Sequence, residues 1–165
     1  MSEIVVGLDV SPASHAALAW AANQARTTGA ELRAVHGLLL PATMLASVGW
    51  LSVPTAPIGD RVEDAYRDAV TAVWETVRPE PSWRLEFYNA DPSNLLVAQS
   101  THAALLVIGT REHVGWGRIL NGSISHFCFS HAMCPVVAVP PPATRADGSE
   151  PKLLADAGPA DSSTA

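Results

Sequence analysis

The chain has 165 residues, a formal net charge of −6 at neutral pH and 48% hydrophobic residues. That length suits one domain with a sizeable core and leaves little room for a second. Its few basic residues are scattered, which argues against a surface that binds nucleic acid or an anionic membrane. With two cysteines, no signal-peptide pattern and no apolar run of spanning length, the sequence predicts a reduced, cytoplasmic protein.

The N-terminal residues predict a strand and then a helix. Ile4 to Leu8 is an apolar run without alternation, which is typical of a parallel strand covered on both faces. Asp9 closes this run. The residues around Pro12 are typical of a turn and a helix N-cap, so a helix is predicted to begin there. Trp20 shares the helical spacing of the neighbouring alanines, and the helix is expected to end at Gly29.

A second strand is predicted from Glu31 to Leu38, followed by a long apolar loop from Leu39 to Gly59 that contains three prolines. Loops of this length are often lids, interfaces or mobile segments. Part of the loop is expected to form a helical turn that packs on a neighbour or shields a ligand cleft. A locally packed loop without a role remains an alternative.

The middle of the chain predicts two further helices around a third strand. Apolar residues recur with helical spacing from Val62 to Val77, and two prolines then end the pattern. Arg84 to Asn89 is a strand with polar alternation, expected near a sheet edge. Asp91 has the character of an N-cap before a short helix from Ser93 to Thr101.

The stretch from Ala104 to Val139 predicts a buried strand ending at Gly109, a glycine-rich loop, a short helix and a last strand. Five strands alternating with helices indicate an α/β fold with an open parallel sheet and helices on both faces. In such sheets ligands bind beyond the carboxyl ends of the strands. Asp9 and Gly109 both follow strands at that edge.

The glycine-rich loop suggests an anion site. Glycines allow close approach of the backbone to a ligand, and the first turn of the next helix, which starts at Gly122, presents unpaired N–H groups. Two hydroxyls and two cations are close in sequence and could complete a phosphate cradle: Ser123, Ser125, Arg111 and Arg118. The glycine spacing fits neither a Walker A loop nor a Rossmann fingerprint.

This stretch resembles the C-terminal half of the universal stress protein family. ATP-binding members have a strand ending in Gly, a second Gly three residues later, nine intervening residues and then Gly-Ser or Gly-Thr; Gly109 and Gly122-Ser123 match, whereas the second position is Glu112. The opening IVVGLDVSPAS and the closing CPVVAVP are also similar to the family. The resemblance implies a Rossmann-like fold with strand order 3-2-1-4-5.

The resemblance also implies a ligand: ATP or a related adenine nucleotide, with or without Mg²⁺, in a regulatory stress-response protein. Asp9 would contact the nucleoside part, and the main chain of Gly37 would meet the adenine. The phosphates would be held by the loop and helix residues Gly109, Arg111, Gly122, Ser123 and Ser125. The family further implies a homodimer formed through the last strand, Val136 to Val139, whose edge is available for pairing.

Each candidate has a structural alternative. Asp9 could simply form a turn, and the glycines could make a tight connection that binds nothing. A Glu112 at positive φ would cost about 1 kcal/mol, and its carboxylate would repel a triphosphate if it pointed inward. The rival function is therefore a dimeric interaction module of the same fold that binds protein partners and no nucleotide.

Enzymatic and metal-binding functions have little support in the sequence. No nucleophile elbow or zinc-protease motif is present, so at most a slow ATPase is conceivable, with Asp9 as its base. The residues His126, Cys128, His131 and Cys134 do not have the spacing of a recognised zinc motif, so no metal site is assigned, and Cys128 is expected to face the core. Residues 1–140 are assigned to the domain and residues 141–165 to a disordered tail rich in Pro, Ala and Ser.

Overall fold

The computed structural model describes residues 2–38, 56–110 and 123–142. In chain order the elements are β1 (Glu3–Gly7), α1 (Pro12–Thr28), β2 (Glu31–Gly37), α2 (Ala56–Glu75), β3 (Arg84–Tyr88), α3 (Pro92–Ser100), β4 (Leu105–Gly109), α4 (Ser123–His131) and β5 (Val136–Val139). All strand pairs are parallel, and the sheet order is β3-β2-β1-β4-β5. The predicted fold class and strand order are confirmed, including the edge position of β3.

The helices cover both faces of the sheet, as the unbroken apolar runs indicated. On one face α1 and α2 pack over the sheet, with Leu18 and Val70 fully buried against Val6 and Val107. On the other face α3 and α4 contribute Leu95, Leu96 and Cys128 to a second core. Each central strand contributes side chains to both cores, so the sheet is packed from two sides and the ends of its strands are held in register.

Helix α1 begins and ends where the cap residues indicated. The Ser11 side chain accepts a hydrogen bond from the N–H of Ser14, and Gly29 is the C-cap. Its buried face is made of small residues such as Ala17 and Ala21, which allow the helix to lie close to the sheet. Trp20 differs from the expected pattern: it is 37% exposed, because the narrow space beneath the helix suits alanine.

Helix α2 begins earlier than the sequence indicated. Its first residue is Ala56, inside the predicted loop from Leu39 to Gly59, and Pro57 lies in its first turn. A proline is tolerated there because the first helical N–H groups have no partner within the helix. The end of the predicted loop is therefore helical, in agreement with the expected helical turn, although the turn belongs to the long helix α2. The remainder of that loop, residues 39–55, lies outside the described residues. The predicted tail also lies outside them from residue 143 onward.

Candidate functional site

The carboxyl ends of β1 and β4 lie side by side, because the two strands pair directly. Asp9 follows β1, and its Oδ1 accepts a hydrogen bond of 2.8 Å from the N–H of Ser11. The N–H of Asp9 donates to the Ser14 Oγ at 2.8 Å, and that hydroxyl donates to the Gly7 carbonyl at 3.4 Å. Asp9 is thus a turn-forming residue, and among the described residues none donates a hydrogen bond to its Oδ2.

Gly109, at the end of β4, lies directly against the first turn of α1. A Cβ added there would be 2.6 Å from the carbonyl carbon and oxygen of Ala13 and 2.8 Å from the nitrogen of Ser14. These are backbone atoms, so no side-chain movement could relieve the overlap. The glycine is therefore required for the close approach of α1 to β4, whether or not a ligand binds.

Helix α4 brings its N-terminus to the same place. It starts at Ser123, and the hydroxyl of the buried Ser125 lies 3.5 Å from the Gly109 carbonyl, to which it can donate a weak hydrogen bond. The first N–H groups of a helix lack intrahelical acceptors and lie at the positive end of its dipole, a combination that favours anions. The end of β4 and the anion-favouring end of α4 therefore meet beside Asp9.

Gly37 ends β2, next to β1 in the sheet. A Cβ at this position would lie 3.0 Å from the Ala90 carbonyl oxygen and 3.2 Å from Pro92 Cα, so the start of α3 packs closely against it. The structure thus places Asp9, Gly37, Gly109 and the start of α4 on one edge of the sheet. Arg111 and Gly122, together with Glu112 and Arg118, lie outside the described residues.

The structure adds His36 to this edge, which the sequence patterns did not indicate. Its imidazole is 5% exposed and its Nδ1 lies 2.7 Å from the carbonyl oxygen of Leu8, the residue before Asp9. A carbonyl can only accept, so Nδ1 carries the proton. The other ring nitrogen, Nε2, is buried and has no hydrogen-bond partner among the described residues. In the sequence this histidine follows two apolar residues of β2, Ala34 and Val35.

Two of the histidines and cysteines near α4 make contacts within the protein. Cys128 is fully buried in the second core, as expected, and burial raises the pKa of its thiol to about 11. The Nδ1 of His131 makes a hydrogen bond of 3.0 Å with the main-chain carbonyl of Phe127, and the imidazole stacks on the phenyl ring of the same residue. Within residues 2–38, 56–110 and 123–142, no group of three or more metal-ligating side chains comes together.

Comparison with known proteins gives the chain a family. The family model described as "Universal stress protein family" matches residues 1–140. The chain belongs to the universal stress protein family. One curated member, universal stress protein Rv2623 of Mycobacterium tuberculosis, is 34% identical over 143 residues, which cover 82% of this chain and 46% of that protein. The chain therefore spans about half the length of the curated universal stress proteins that it matches.

Solved universal stress proteins share the fold. The Archaeoglobus fulgidus protein, solved in complex with dAMP, aligns with a TM-score of 0.53 and 20% identity, over 84% of this chain and 98% of that one. A universal stress protein solved in complex with cAMP aligns with a TM-score of 0.54 and 17% identity, over 84% of this chain and 95% of that one. None of the helices in the described part of the chain is both long and apolar enough to cross a membrane.

Proposed function

We propose that this universal stress protein binds ATP or a related adenine nucleotide at the carboxyl edge of β1 and β4, and that its function is regulatory. The observation that carries the proposal is the approach of Ser125 to Gly109, which brings the N-terminus of α4 to the end of β4. A helix N-terminus beside a strand end is a common phosphate position in parallel α/β folds. The complexes of solved relatives with dAMP and cAMP support the same ligand class.

Each residue of the proposed site has a chemical role. The phosphates would accept hydrogen bonds from the first main-chain N–H groups of α4 and from the hydroxyls of Ser123 and Ser125, with Arg111 and the Gly122 backbone completing the cradle. The Asp9 carboxylate would accept from a hydroxyl of the nucleoside through its Oδ2, because Oδ1 is held by the Ser11 N–H. Binding would alter the surface of the protein, and no turnover is required. We place this function in the stress response of the cytoplasm.

Calorimetric titration with Mg-ATP tests the proposal. The wild type is expected to bind with micromolar affinity, and Asp9→Asn, which keeps an oxygen for the Ser11 N–H, is expected to bind about tenfold more weakly through the lost charge-assisted hydrogen bond. Ser125→Ala removes only a long hydrogen bond of 3.5 Å and should fold normally while losing affinity. The affinity of a Glu112→Gly variant shows how much nucleotide binding is weakened by the glutamate that replaces the glycine of the family pattern. Binding that is equal in all four proteins would refute the assigned site.

A second candidate function has its own observation. Gly109 is needed for packing against Ala13, and Asp9 and Ser125 already make hydrogen bonds within the chain, so the edge can be explained without a ligand. In that case the fold would serve as an interaction module for protein partners. A wild type that binds no nucleotide, together with a Glu112→Gly variant that does, would favour this function.

We also propose that the protein is a homodimer paired through β5. Within the described part of the chain β5 pairs only with β4. The N–H groups of Leu106 and Thr110 donate to the carbonyl oxygens of Pro135 and Val139 at 3.0 and 2.9 Å, so the main-chain polar groups of Val139 face β4. Since alternate residues of a strand face opposite neighbours, the N–H of Ala138 faces outward. Ala138→Pro removes that N–H without breaking the pairing with β4. It should yield a folded monomer by light scattering, whereas Ala138→Val should remain dimeric; a dimeric Ala138→Pro would contradict this interface.

A further inference from the structure

The two edges of the sheet differ in their chemistry. Among the strands that the structure describes, β3 and β5 each pair with one neighbour, so each presents an open main-chain edge. β3 carries the charged residues Arg84 and Glu86, and charges on an edge strand discourage further pairing. β5 reads Val-Val-Ala-Val, carries no charge, and all four of its residues are half-buried. The edge at β5 therefore lacks the protection that β3 has.

Large apolar side chains are exposed around β5. The exposed fraction is 37% for Trp20 in α1, 44% for Phe129 in α4 and 73% for Met133, which lies between α4 and β5. Trp20 and Phe129 belong to opposite faces of the sheet, because α1 and α4 pack on opposite faces. In the described part of the chain the other exposed large hydrophobic residue is Val10, at the carboxyl edge of β1. Exposed apolar surface is thus concentrated around the open edge at β5.

The hand of the crossovers places Phe129 beside β5. Because α-helices and β-α-β crossovers are both right-handed, the residue that follows a core-facing residue of the helix points toward the next strand. Helix α1 shows this direction: Arg26 follows the buried Ala25, and its guanidinium donates to the carbonyl of Val77, just beyond α2, at 2.7 Å. Phe129 follows the fully buried Cys128 in the same way, so its ring points toward the outer side of β5.

The converse direction applies to Trp20. It precedes the buried Ala21, so it points toward the side of α1 that faces away from α2. Ala13 lies seven residues earlier on the same stripe of the helix, and its main chain lies against Gly109 at the end of β4. Helix α1 also contacts β5. Trp20 therefore lies on the β5 side of one face of the sheet, and Phe129 lies on the β5 side of the other.

Phe129 also lies near the middle of β5 along the strand direction. Four residues earlier, on the same side of α4, the Ser125 hydroxyl reaches the carbonyl of Gly109, which is opposite Val139 in the β4–β5 register. Four helical residues rise about 6 Å, which corresponds to about two residues of a strand. Phe129 is therefore at the level of Val137. When two β5 strands pair in antiparallel order along their whole length, the two-fold axis passes near this level.

We propose that Phe129 and Trp20 form an aromatic clamp that holds a second copy of this chain, from both faces of the sheet, at the β5 edge. The occupant is a second copy because it must supply an unpaired strand together with apolar side chains on both faces, and a two-fold axis supplies all of these. Two strands of four residues offer few hydrogen bonds, whereas aromatic side chains are enriched at the centres of interfaces. The clamp rests on the proposed β5 dimer and is independent of nucleotide binding.

Sedimentation velocity of the full chain over a range of concentrations measures the dissociation constant of the dimer. Phe129→Gln and Trp20→Gln should each raise this constant by about tenfold or more, because each substitution removes an aromatic ring from the interface twice. Glutamine is a good helix former, so circular dichroism of both variants should match the wild type. Val10→Gln is the matched control, since Val10 is also exposed but lies away from β5, and its dissociation constant should equal that of the wild type.

The two-fold axis allows a sharper test of the position of Phe129. Phe129→Glu and Phe129→Lys should each sediment as monomers at concentrations where the wild type is dimeric, because like charges would meet across the axis. An equimolar mixture of these two variants should form dimers again, since opposite charges then face each other. A mixture that stays monomeric would overturn the assigned contact between the two copies of Phe129.

The remaining outcomes separate the clamp from the strand pairing. A monomeric wild type would overturn both the dimer and the clamp. A dimeric wild type whose dissociation constant is unchanged in Phe129→Gln and Trp20→Gln would overturn the clamp and leave the pairing of β5 in place. Failure of the wild type to bind ATP would remove the proposed nucleotide site and leave both of these results as they are.

Discussion

Replacement of Gly109 by alanine tests why the end of β4 is built as it is. The added Cβ would be placed 2.6 Å from the carbonyl carbon and oxygen of Ala13, and these atoms are fixed in the first turn of α1. Either α1 or the end of β4 must shift, and overpacking of this kind typically costs about 1–3 kcal/mol. A loss near the middle of that range, about 2 kcal/mol, would lower the melting temperature by about 4–8 °C for a chain of this size.

Gly7→Ala is the matched control, because Gly7 ends the neighbouring strand β1. There the atoms nearest to the new Cβ would be the two Cδ atoms of Leu96, both at 3.1 Å, and the end of a leucine side chain can move. Gly7→Ala should therefore remain within about 1 kcal/mol of the wild type. Urea denaturation followed by the fluorescence of the buried Trp74 and Trp83 measures both variants. Equal stability of the two variants would refute the packing explanation for Gly109.

Two further predictions concern burial and capping. Burial raises the pKa of the Cys128 thiol to about 11 in the folded protein, from an ordinary value of 9.0. As pH rises, the thiol of the unfolded chain therefore loses its proton before that of the folded protein. The free energy of unfolding of the wild type should fall between these two pKa values, by at most about 1.4 kcal/mol per pH unit. Cys128→Ala lacks this term, so its stability deficit should shrink from about pH 8 to about pH 10 in urea titrations; a constant deficit would contradict the shift. Asp91 caps α3 by accepting from the Asn94 N–H at 3.0 Å, so Asp91→Ala should cost about 1 kcal/mol and Asp91→Asn much less, and equal melting temperatures of the two would argue against the cap.

The order of elements could be predicted from the sequence because each strand is a short apolar run with a clear stop. Ile4 to Leu8 and Leu105 to Gly109 have no polar residue that would permit an exposed face, which indicates a sheet covered on both sides. Ser11 and Asp91 marked the starts of their helices through ordinary capping chemistry. The start of α2 was missed because a proline can either break a helix or begin one, and the local sequence around Pro57 does not distinguish the two.

The candidate site was predicted less completely, because its contacts join residues that are distant in the sequence. Gly109 suggested close approach of a ligand, whereas the structure supplies a different reason, the backbone of Ala13. His36 gave no periodic or motif signal, since its hydrogen bond is made with the carbonyl of Leu8 in another part of the chain. Long-range hydrogen bonds of this kind depend on which residues of two neighbouring strands lie opposite each other, and a single sequence carries no direct record of that register.

The most direct test of the nucleotide site is an NMR titration of the amide groups with Mg-ATP. If the proposed site is correct, saturable shifts should concentrate on the amides of Asp9, Gly37, Ser123 and Ser125, on the carboxyl edge of the sheet, and be weak on β3 and on the C-terminal half of α2. A titration that leaves these amides unmoved, or that moves a different surface, would contradict the account.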